Sequence, residues 1–358
     1  MKTRQFCVMA LLIILGVTCA GVVSCSKSSN PGAEKGGGGL SLIGAGATFP
    51  YPIYSKWMNE YHKSHPDVFI NYQSIGSGGG IRQILAGTVD FGASDGPMND
   101  EQIKQFQQQR RCDILHFPTV LGADVPSYNI PGIRAELNFT PEALTGIFLG
   151  TIKKWNDPLL TKANPGINLP SDNIIVAHRS DGSGTTYVWT DYLSKISEEW
   201  KTKVGKGTSV NWPVGLGGKG NEGVSGLISQ TPDSIGYIEL IYAVQNHLAY
   251  GRVRNSSENF IKADLNSVTA AAAEAAQNMP EDFRVSITNA PGKDAYPISS
   301  FTWLLVPSRI KDPHKRKAII EFLGWMLVDG QNFVEALAYA RLPQQVIAKE
   351  TPAISRVQ

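Results

Sequence analysis

The sequence repeats one order of local patterns: a short apolar segment, a loop of small residues and then a helical pattern. This order restricts the fold more than any other feature of the chain. Residues 40–43 have the pattern of a strand, and apolar side chains then recur every fourth position from Phe49 to Tyr61, as on one face of a helix. A second unit has a strand pattern at 68–73, glycines at 76–80 and a helical pattern beginning near Ile81. Strands that alternate with helices predict βαβ units, a mostly parallel sheet and an α/β fold.

The same alternation returns further along the chain, where a strand is predicted at 173–177 and a helix from Ser183 onward. Further strands are predicted at 89–93, 234–238 and 301–306, and further helices from Thr140, over 268–276 and over 313–329. The chain has 358 residues, and an average domain has roughly 150. Two α/β domains are therefore predicted.

Composition and charge exclude several classes of protein. The 33 basic and 31 acidic residues leave a net charge of +2, so no strong positive field exists to hold nucleic acid or an anionic membrane surface. The hydrophobic fraction of 42% is far too high for a disordered or collagen-like chain. A folded body without a nucleic-acid role is expected.

The N-terminus has the pattern of an export signal. Basic residues precede an apolar run over 6–17 that is too short for a stable membrane span. The sequence Val22-Val23-Ser24-Cys25 resembles the site at which bacterial lipoproteins are cut and lipidated, which predicts a signal peptide at 1–24 and a lipid on Cys25. The alternative is a plain secretory signal that is cleaved nearby.

Residues 25–39 are predicted to form a flexible tether with a reach of roughly 20 Å, because serine and glycine dominate them. If Cys25 carries lipid, Cys112 has no partner in the mature chain. The fold would then depend on its core and not on a disulfide framework.

Common enzyme and metal motifs are missing: the sequence has no Walker P-loop, no C-x-x-C pair and no H-E-x-x-H. The segment 182–184 lacks the outer glycines of a nucleophile elbow. His62 and His65 fit a solvated helix face better than a metal site, since no further ligand stands near them in sequence. Phe49 fills the position where a dinucleotide-binding loop needs its third glycine. No catalytic residue, metal or cofactor is predicted.

Three predicted strand-to-helix junctions instead carry small polar residues suited to an anion. Helix N-termini present free N–H groups and the positive end of the helix dipole, and serine or threonine adds a hydroxyl. Each loop taken alone is more often an ordinary turn than a ligand cradle, so the prediction of an oxyanion site depends on their convergence. The junctions are Ala47-Thr48-Phe49, Gly76-Ser77-Gly78 and the segment around Ser183-Gly184-Thr185.

Two charged residues complete this scheme. Arg179 could donate two parallel hydrogen bonds to phosphate oxygens while Asp181 holds it, although the two could also be an exposed surface pair. Asp95 could accept the proton that phosphate keeps at neutral pH and sulfate does not, although it could also cap the following turn. The pattern therefore favours phosphate over sulfate.

Together the motifs resemble the substrate-binding proteins of bacterial phosphate ABC transporters, and they keep their order from about residue 40 to 303. Gly78 stands where related sequences often have a serine. The motifs are Gly44-Ala-Gly-Ala-Thr-Phe-Pro50, Ile75-Gly-Ser-Gly-Gly-Gly80, Val89-Asp-Phe-Gly-Ala-Ser-Asp95, a segment at 147–158, Arg179-Ser-Asp-Gly-Ser-Gly-Thr185, Gly218-Lys-Gly-Asn221 and Ser234-Ile-Gly-Tyr237.

The resemblance implies a periplasmic-binding-protein fold of the second type, with two α/β domains, a hinge and a ligand cleft between them. Domain I is expected at 40–116 and 297–358, and domain II at 117–296. Asp181 matches the residue that pairs with the arginine. The implied phosphate ligands are Ala47, Thr48, Phe49, Ser77, Asp95, Arg179, Ser183, Gly184 and Thr185.

The implied function is extracytoplasmic capture of inorganic phosphate and its delivery to the membrane permease and ATPase of the transporter, without catalysis. Three alternatives remain open from the sequence. The ligand could be another oxyanion such as sulfate, the protein could be an exported phosphatase with Ser183 or Thr48 as nucleophile, or it could be a phosphate sensor that signals through a partner.

Overall fold

Strands and helices alternate along most of the computed structural model, which describes residues 39–358. The strands are β1 (Leu40–Gly46), β2 (Val68–Ser74), β3 (Phe91–Ser94), β4 (Ile114–Asn129), β5 (Asn138–Phe139), β6 (Ile175–Arg179), β7 (Leu216–Gly218), β8 (Ser234–Glu239), β9 (Ala249–Tyr250), β10 (Arg252–Arg254), β11 (Phe260–Ile261) and β12 (Ser299–Pro307). The helices are α1 (Tyr51–Ser64), α2 (Ser77–Ala86), α3 (Asp100–Arg110), α4 (Pro141–Leu149), α5 (Pro158–Ala163), α6 (Gly184–Ile196), α7 (Glu198–Lys203), α8 (Gly220–Gln230), α9 (Leu240–Gln245), α10 (Leu265–Gln277), α11 (Pro313–Val328) and α12 (Gln344–Ala353).

The long strand β4 joins two halves of one nine-stranded sheet, whose order is β2-β1-β3-β12-β4-β8-β6-β7, with β9 also paired to β4. Residues 114–123 of β4 pair with β12, and residues 124–129 pair with β8. Within each half the helix-linked strands are parallel, but β12 and β4 are antiparallel to their neighbours. The sheet is thus mixed, and not mostly parallel as the alternation predicts.

Most predicted elements are present within a few residues of their predicted ends, but β4 is not among the predictions. Pro118, Gly122 and Pro126 interrupt its sequence, and such residues usually indicate a break or an edge strand. All of its residues except Asn129 are buried, so it shows no alternation of polar and apolar side chains. Only the completed sheet distinguishes this segment from a loop.

Buried aromatic side chains fill the space between the sheet and its helices. In the half that contains β8, Trp189 stacks on Tyr237 with 5.1 Å between ring centroids, and Phe148 packs against both. In the other half, Trp57 is fully buried and its indole N–H donates to the Gly330 carbonyl at 2.7 Å. These large side chains hold the strand ends in place, and the strand ends carry the loops predicted to form the site.

Residues 39–358 form one compact unit. The predicted boundary between the two domains, near residue 116, falls inside β4, while β4 changes its pairing partner between Ala123 and Asp124. The division at 40–116 with 297–358 and at 117–296 stays a prediction. The signal peptide at 1–24, Cys25 and nearly all of the tether lie outside the described residues. Within residues 39–358 no helix is long and apolar enough to cross a membrane.

Candidate functional site

Tyrosine hydroxyls hold three consecutive carbonyls of the loop between β1 and α1. Because a trans peptide is planar, a carbonyl held on one side directs the next N–H group to the opposite side. The N–H groups of Thr48 and Phe49 have no partner among residues 39–358, whereas the N–H of Ala47 donates to the Ala93 carbonyl at 3.0 Å. Thr48 and Phe49 therefore offer main-chain donors, and Ala47 does not. The hydroxyl-to-carbonyl pairs are Tyr72 to Ala47 (2.8 Å), Tyr242 to Thr48 (2.6 Å) and Tyr339 to Phe49 (2.5 Å).

Ser77 begins α2 and is fully buried. Its Oγ accepts from the Asp95 N–H at 3.2 Å and lies 3.4 Å from Asp95 Oδ2. The next residue, Gly78, donates its N–H to the Gly182 carbonyl at 2.9 Å, and a Cβ at Gly78 would lie 3.0 Å from Gly182 Cα. A glycine at this position lets the loop before α2 lie directly against the loop before α6.

Arg179 and Asp181 form a buried pair at the end of β6, with only 1% and 13% of their side chains exposed. Arg179 Nε and Nη2 donate to the two carboxylate oxygens at 2.8 and 2.6 Å, and Nη1 donates to Thr185 Oγ1 at 3.1 Å. The alternative of an exposed surface pair is therefore wrong. A guanidinium has five N–H groups, so two remain for a ligand once the three bonds to residues 39–358 are made.

The charge of Asp181 is stabilised by its surroundings. Burial acts to raise the pKa of its carboxyl, but the Arg179 guanidinium and the Gly220 N–H at 3.0 Å outweigh burial and hold that pKa below its usual value. Arg179 is thus partly neutralised and fixed in orientation before any ligand binds.

The start of α6 supplies a second group of donors. Ser183 is its N-cap: the Oγ accepts from the Thr186 N–H at 3.0 Å, and the Ser183 N–H is taken by the Thr208 carbonyl at 2.7 Å. The N–H groups of Gly184 and Thr185 occupy the first turn, where the helix offers them no acceptor. A ligand could therefore use the Ser183 hydroxyl and the N–H groups of the two residues that follow it.

Asp95 lies opposite this helix end and is 1% exposed. Thr302 Oγ1 donates to its Oδ1 at 2.7 Å. Burial raises the pKa of the Asp95 carboxyl to about 7, against the opposing effects of Thr302, Arg179 and Ser77. Asp95 does not cap the following turn, because its carboxylate contacts Thr302 and Ser77. The neighbouring Ser94 has that role, since its Oγ accepts from the Gly96 N–H at 3.3 Å.

Direct contacts show that the predicted residues meet at one place between the two sheet halves. A Cβ at Gly184 would lie 2.3 Å from Asp95 Oδ2 and 2.4 Å from Ser77 Oγ. Thr48 and Thr185 share one hydrogen-bond partner, the side chain of Asn221. The strand ends of β1, β3 and β6 and the N-termini of α1, α2 and α6 therefore converge.

Several residues of the site carry no role in the sequence prediction. The motif at 218–221 contains Asn221 but gives its side chain no function. Thr302 and the three tyrosines come from distant segments, and nothing in the sequence around them indicates that they reach the loops. Only the packing of β2, β12, α9 and the segment between α11 and α12 brings them there.

This arrangement defines the fold of the periplasmic binding proteins, and comparison with known proteins agrees. Residues 28–329 match the family model of the PBP superfamily domain. "Phosphate-binding protein PstS" of Pasteurella multocida is 47% identical over 310 residues, covering 86% of this chain and 88% of that protein. "Phosphate-binding protein PstS" of Xylella fastidiosa (strain Temecula1) is 43% identical over 328 residues, covering 91% and 88%.

A solved phosphate-binding protein from Stenotrophomonas maltophilia has the same fold, with a TM-score of 0.66 at 16% identity over 87% of this chain and 93% of that chain. The chain belongs to the PBP superfamily and, within it, to the PstS family of phosphate-binding proteins.

Proposed function

We propose that this protein binds inorganic phosphate outside the cytoplasmic membrane and delivers it to the permease and ATPase of a phosphate ABC transporter, and that it catalyses no reaction. The names of its relatives support the ligand, and the motifs that resemble those of phosphate ABC transporter substrate-binding proteins support the transporter class. The observation that carries the proposal is the buried carboxyl of Asp95 facing a group of hydrogen-bond donors.

The proposed donor set contains N–H groups, hydroxyls and one guanidinium, and it replaces the hydration shell of the anion. Its dipoles are fixed before binding, which limits the ordering cost when phosphate enters. The proposed ligand groups are the N–H groups of Thr48, Phe49, Gly184 and Thr185, the hydroxyls of Thr48, Ser77, Ser183 and Thr185, and the two remaining Arg179 N–H groups.

Asp95 supplies selectivity in this scheme. Phosphate at neutral pH carries a proton that the carboxylate can accept, so the contact becomes a hydrogen bond. Sulfate carries none, and its unprotonated oxygen would face a buried carboxylate without a donor between them. The site therefore favours phosphate although the two anions have the same shape and similar charge.

Domain closure is part of the proposal. The halves that contain 40–116 with 297–358 and 117–296 would separate to admit phosphate and close to enclose it. The direct hydrogen bond from Gly78 to Gly182 supports this, because it joins one loop from each half. A hydrolytic role for Ser183 has no support in the geometry, since the partner of its hydroxyl among residues 39–358 is the main-chain N–H of Thr186 and not a base.

Calorimetric titration of the purified, phosphate-stripped protein with phosphate and with sulfate tests the ligand. We expect a saturable phosphate signal, no sulfate signal, and weaker discrimination between the anions in Asp95→Asn. Asp90→Asn is the matched control, because Asp90 is paired with Lys315 at the opposite end of β3. Equal binding of both anions by the unaltered protein would contradict the proposed ligand.

We further propose that the mature protein lies in the periplasm or at the cell surface and is attached to a membrane through lipid on Cys25. The sequence Val22-Val23-Ser24-Cys25 supports this attachment. Mass spectrometry of the N-terminal peptide from membrane-extracted protein tests it. A modified N-terminal Cys25 is expected, and an unmodified N-terminus at any other residue would contradict the anchor.

A further inference from the structure

The side chain of Asn221 connects parts of the site that lie far apart in the chain. Asn221 is in the first turn of α8 and is fully buried. Its Nδ2 lies 2.9 Å from Thr48 Oγ1 and 3.1 Å from Thr185 Oγ1, and its Oδ1 lies 3.0 Å from the main-chain nitrogen of Glu239. One amide therefore contacts a loop from one sheet half and a helix from the other.

The hydrogen-bond network fixes which way this amide points. The main-chain N–H of Glu239 can only donate, so the side-chain atom that faces it must be the amide oxygen. The amide nitrogen must then face the two threonine hydroxyls. Asn221 is therefore a donor to both Thr48 and Thr185.

These bonds use the accepting capacity of both hydroxyls. Thr48 Oγ1 accepts from Asn221 Nδ2 and from the Asn221 main-chain N–H at 3.3 Å. Thr185 Oγ1 accepts from Asn221 Nδ2 and from Arg179 Nη1 at 3.1 Å. A hydroxyl has two lone pairs and one hydrogen, so each oxygen keeps only its hydrogen, and neither hydrogen finds an acceptor among residues 39–358.

We propose that Asn221 is a positioning residue that fixes the hydroxyls of Thr48 and Thr185 as donors to the bound anion. This inference rests on the proposed function, because it concerns the same phosphate site. A P–OH group that faced either threonine would find no acceptor for its proton. The Asp95 carboxylate next to Gly184 can accept that proton, so singly protonated phosphate binds in one orientation, with its proton toward Asp95.

Substitution of Asn221 tests this role through phosphate affinity. Asn221→Ala removes the donor and frees both hydroxyls to rotate, so we expect an affinity loss of about tenfold. Asn221→Asp keeps the size and the acceptor for the Glu239 N–H but would accept from both hydroxyls. We therefore expect a loss of about 100-fold, because each donor to the anion is turned away.

A double-mutant cycle separates this role from a merely structural one. In a Thr48→Val, Thr185→Val background the hydroxyls are absent, so Asn221→Ala should change phosphate affinity by less than about twofold. The same fold-loss in both backgrounds would overturn the proposal, and so would unchanged affinity in Asn221→Ala and Asn221→Asp.

Asn164→Ala is the matched control for a buried asparagine. Asn164 is 2% exposed and makes three comparable hydrogen bonds, to the main chain of Asn138 and Leu160, away from the site. We expect a lower melting temperature with unchanged phosphate affinity. Absence of phosphate binding by the unaltered protein would overturn the proposed function instead, so the two failures are distinguishable.

Discussion

At the residue scale, the tyrosine hydroxyls around the β1–α1 loop explain how uncharged groups can be aimed at an anion. Tyr242 holds the Thr48 carbonyl, and through the same peptide plane it directs the Phe49 N–H. Hydrogen bonds of this kind contribute about 1 kcal/mol each to stability. The loop is therefore oriented mainly by residues that do not touch the ligand.

Tyr242→Phe should weaken phosphate binding about fivefold, because the Phe49 N–H loses its fixed direction. Calorimetric titration gives the dissociation constant, and thermal unfolding gives the change in stability. Tyr128→Phe is the control, since Tyr128 also donates to a carbonyl, that of Ala135, but lies outside the site. A loss of affinity that is equal in both variants would mean that the tyrosine acts only through global stability.

Sequence patterns identify the site residues that stand at strand-to-helix junctions, and they miss those that come from elsewhere. Arg179, Asp181 and Ser183 are recognisable because they are adjacent in one motif. Thr302 reaches Asp95 across a sequence separation of 207 residues, and only the pairing of β12 with β3 places it there. Contacts of this kind depend on the register of the finished sheet, which local patterns do not specify.

At the scale of single elements, the N-terminus of α6 has a structural and a binding role that can be separated. Ser183 caps the helix, as Thr140 caps α4, and loss of an N-cap costs about 1 kcal/mol. Ser183→Ala and Thr140→Ala should therefore lower the stability of the phosphate-free protein by similar amounts, as measured by denaturant unfolding.

Phosphate affinity should distinguish these two caps. Ser183→Ala also removes a proposed ligand hydroxyl, so its affinity should fall about tenfold, while Thr140→Ala keeps the affinity of the unaltered protein. Equal affinities in the two variants would remove Ser183 from the ligand set.

Elements with strong local signals were predictable, and those defined by tertiary pairing were not. The strand predicted at 173–177 lies at Ile175–Arg179, and the helix predicted from Ser183 begins one residue later. β7 and β9 have two or three residues and exist only because β6 and β4 offer them partners. Short strands of this kind have no periodicity of their own.

At the scale of the whole molecule, buried carboxyls with raised pKa values lie both in the site and at the centre of the sheet. Asp124 and Glu239 face each other in the register of β4 and β8, and both are fully buried. Burial raises the pKa of each carboxyl well above its usual value, and the pKa of Asp95 rises to about 7. The folded protein therefore keeps protons that the unfolded chain releases.

The pH dependence of stability should show the contribution of Asp95. Its ordinary pKa is 3.8 and its folded pKa about 7, so its favourable contribution is complete below about pH 4 and is lost as the pH rises through 7. Without phosphate, the melting temperature of Asp95→Asn should therefore rise relative to that of the unaltered protein as the pH increases from 5 to 8. A difference between the two melting temperatures that stays constant across that pH range would contradict the raised pKa.

The double pairing of β4 affects how the molecule unfolds. Because one buried strand completes both sheet halves, with β12 on residues 114–123 and β8 on residues 124–129, neither half retains a closed core if the other is lost. We therefore expect the two halves to melt together and not one after the other. Calorimetric unfolding should accordingly show one transition with equal calorimetric and van't Hoff enthalpies, and we expect that neither half folds when it is produced as a separate fragment.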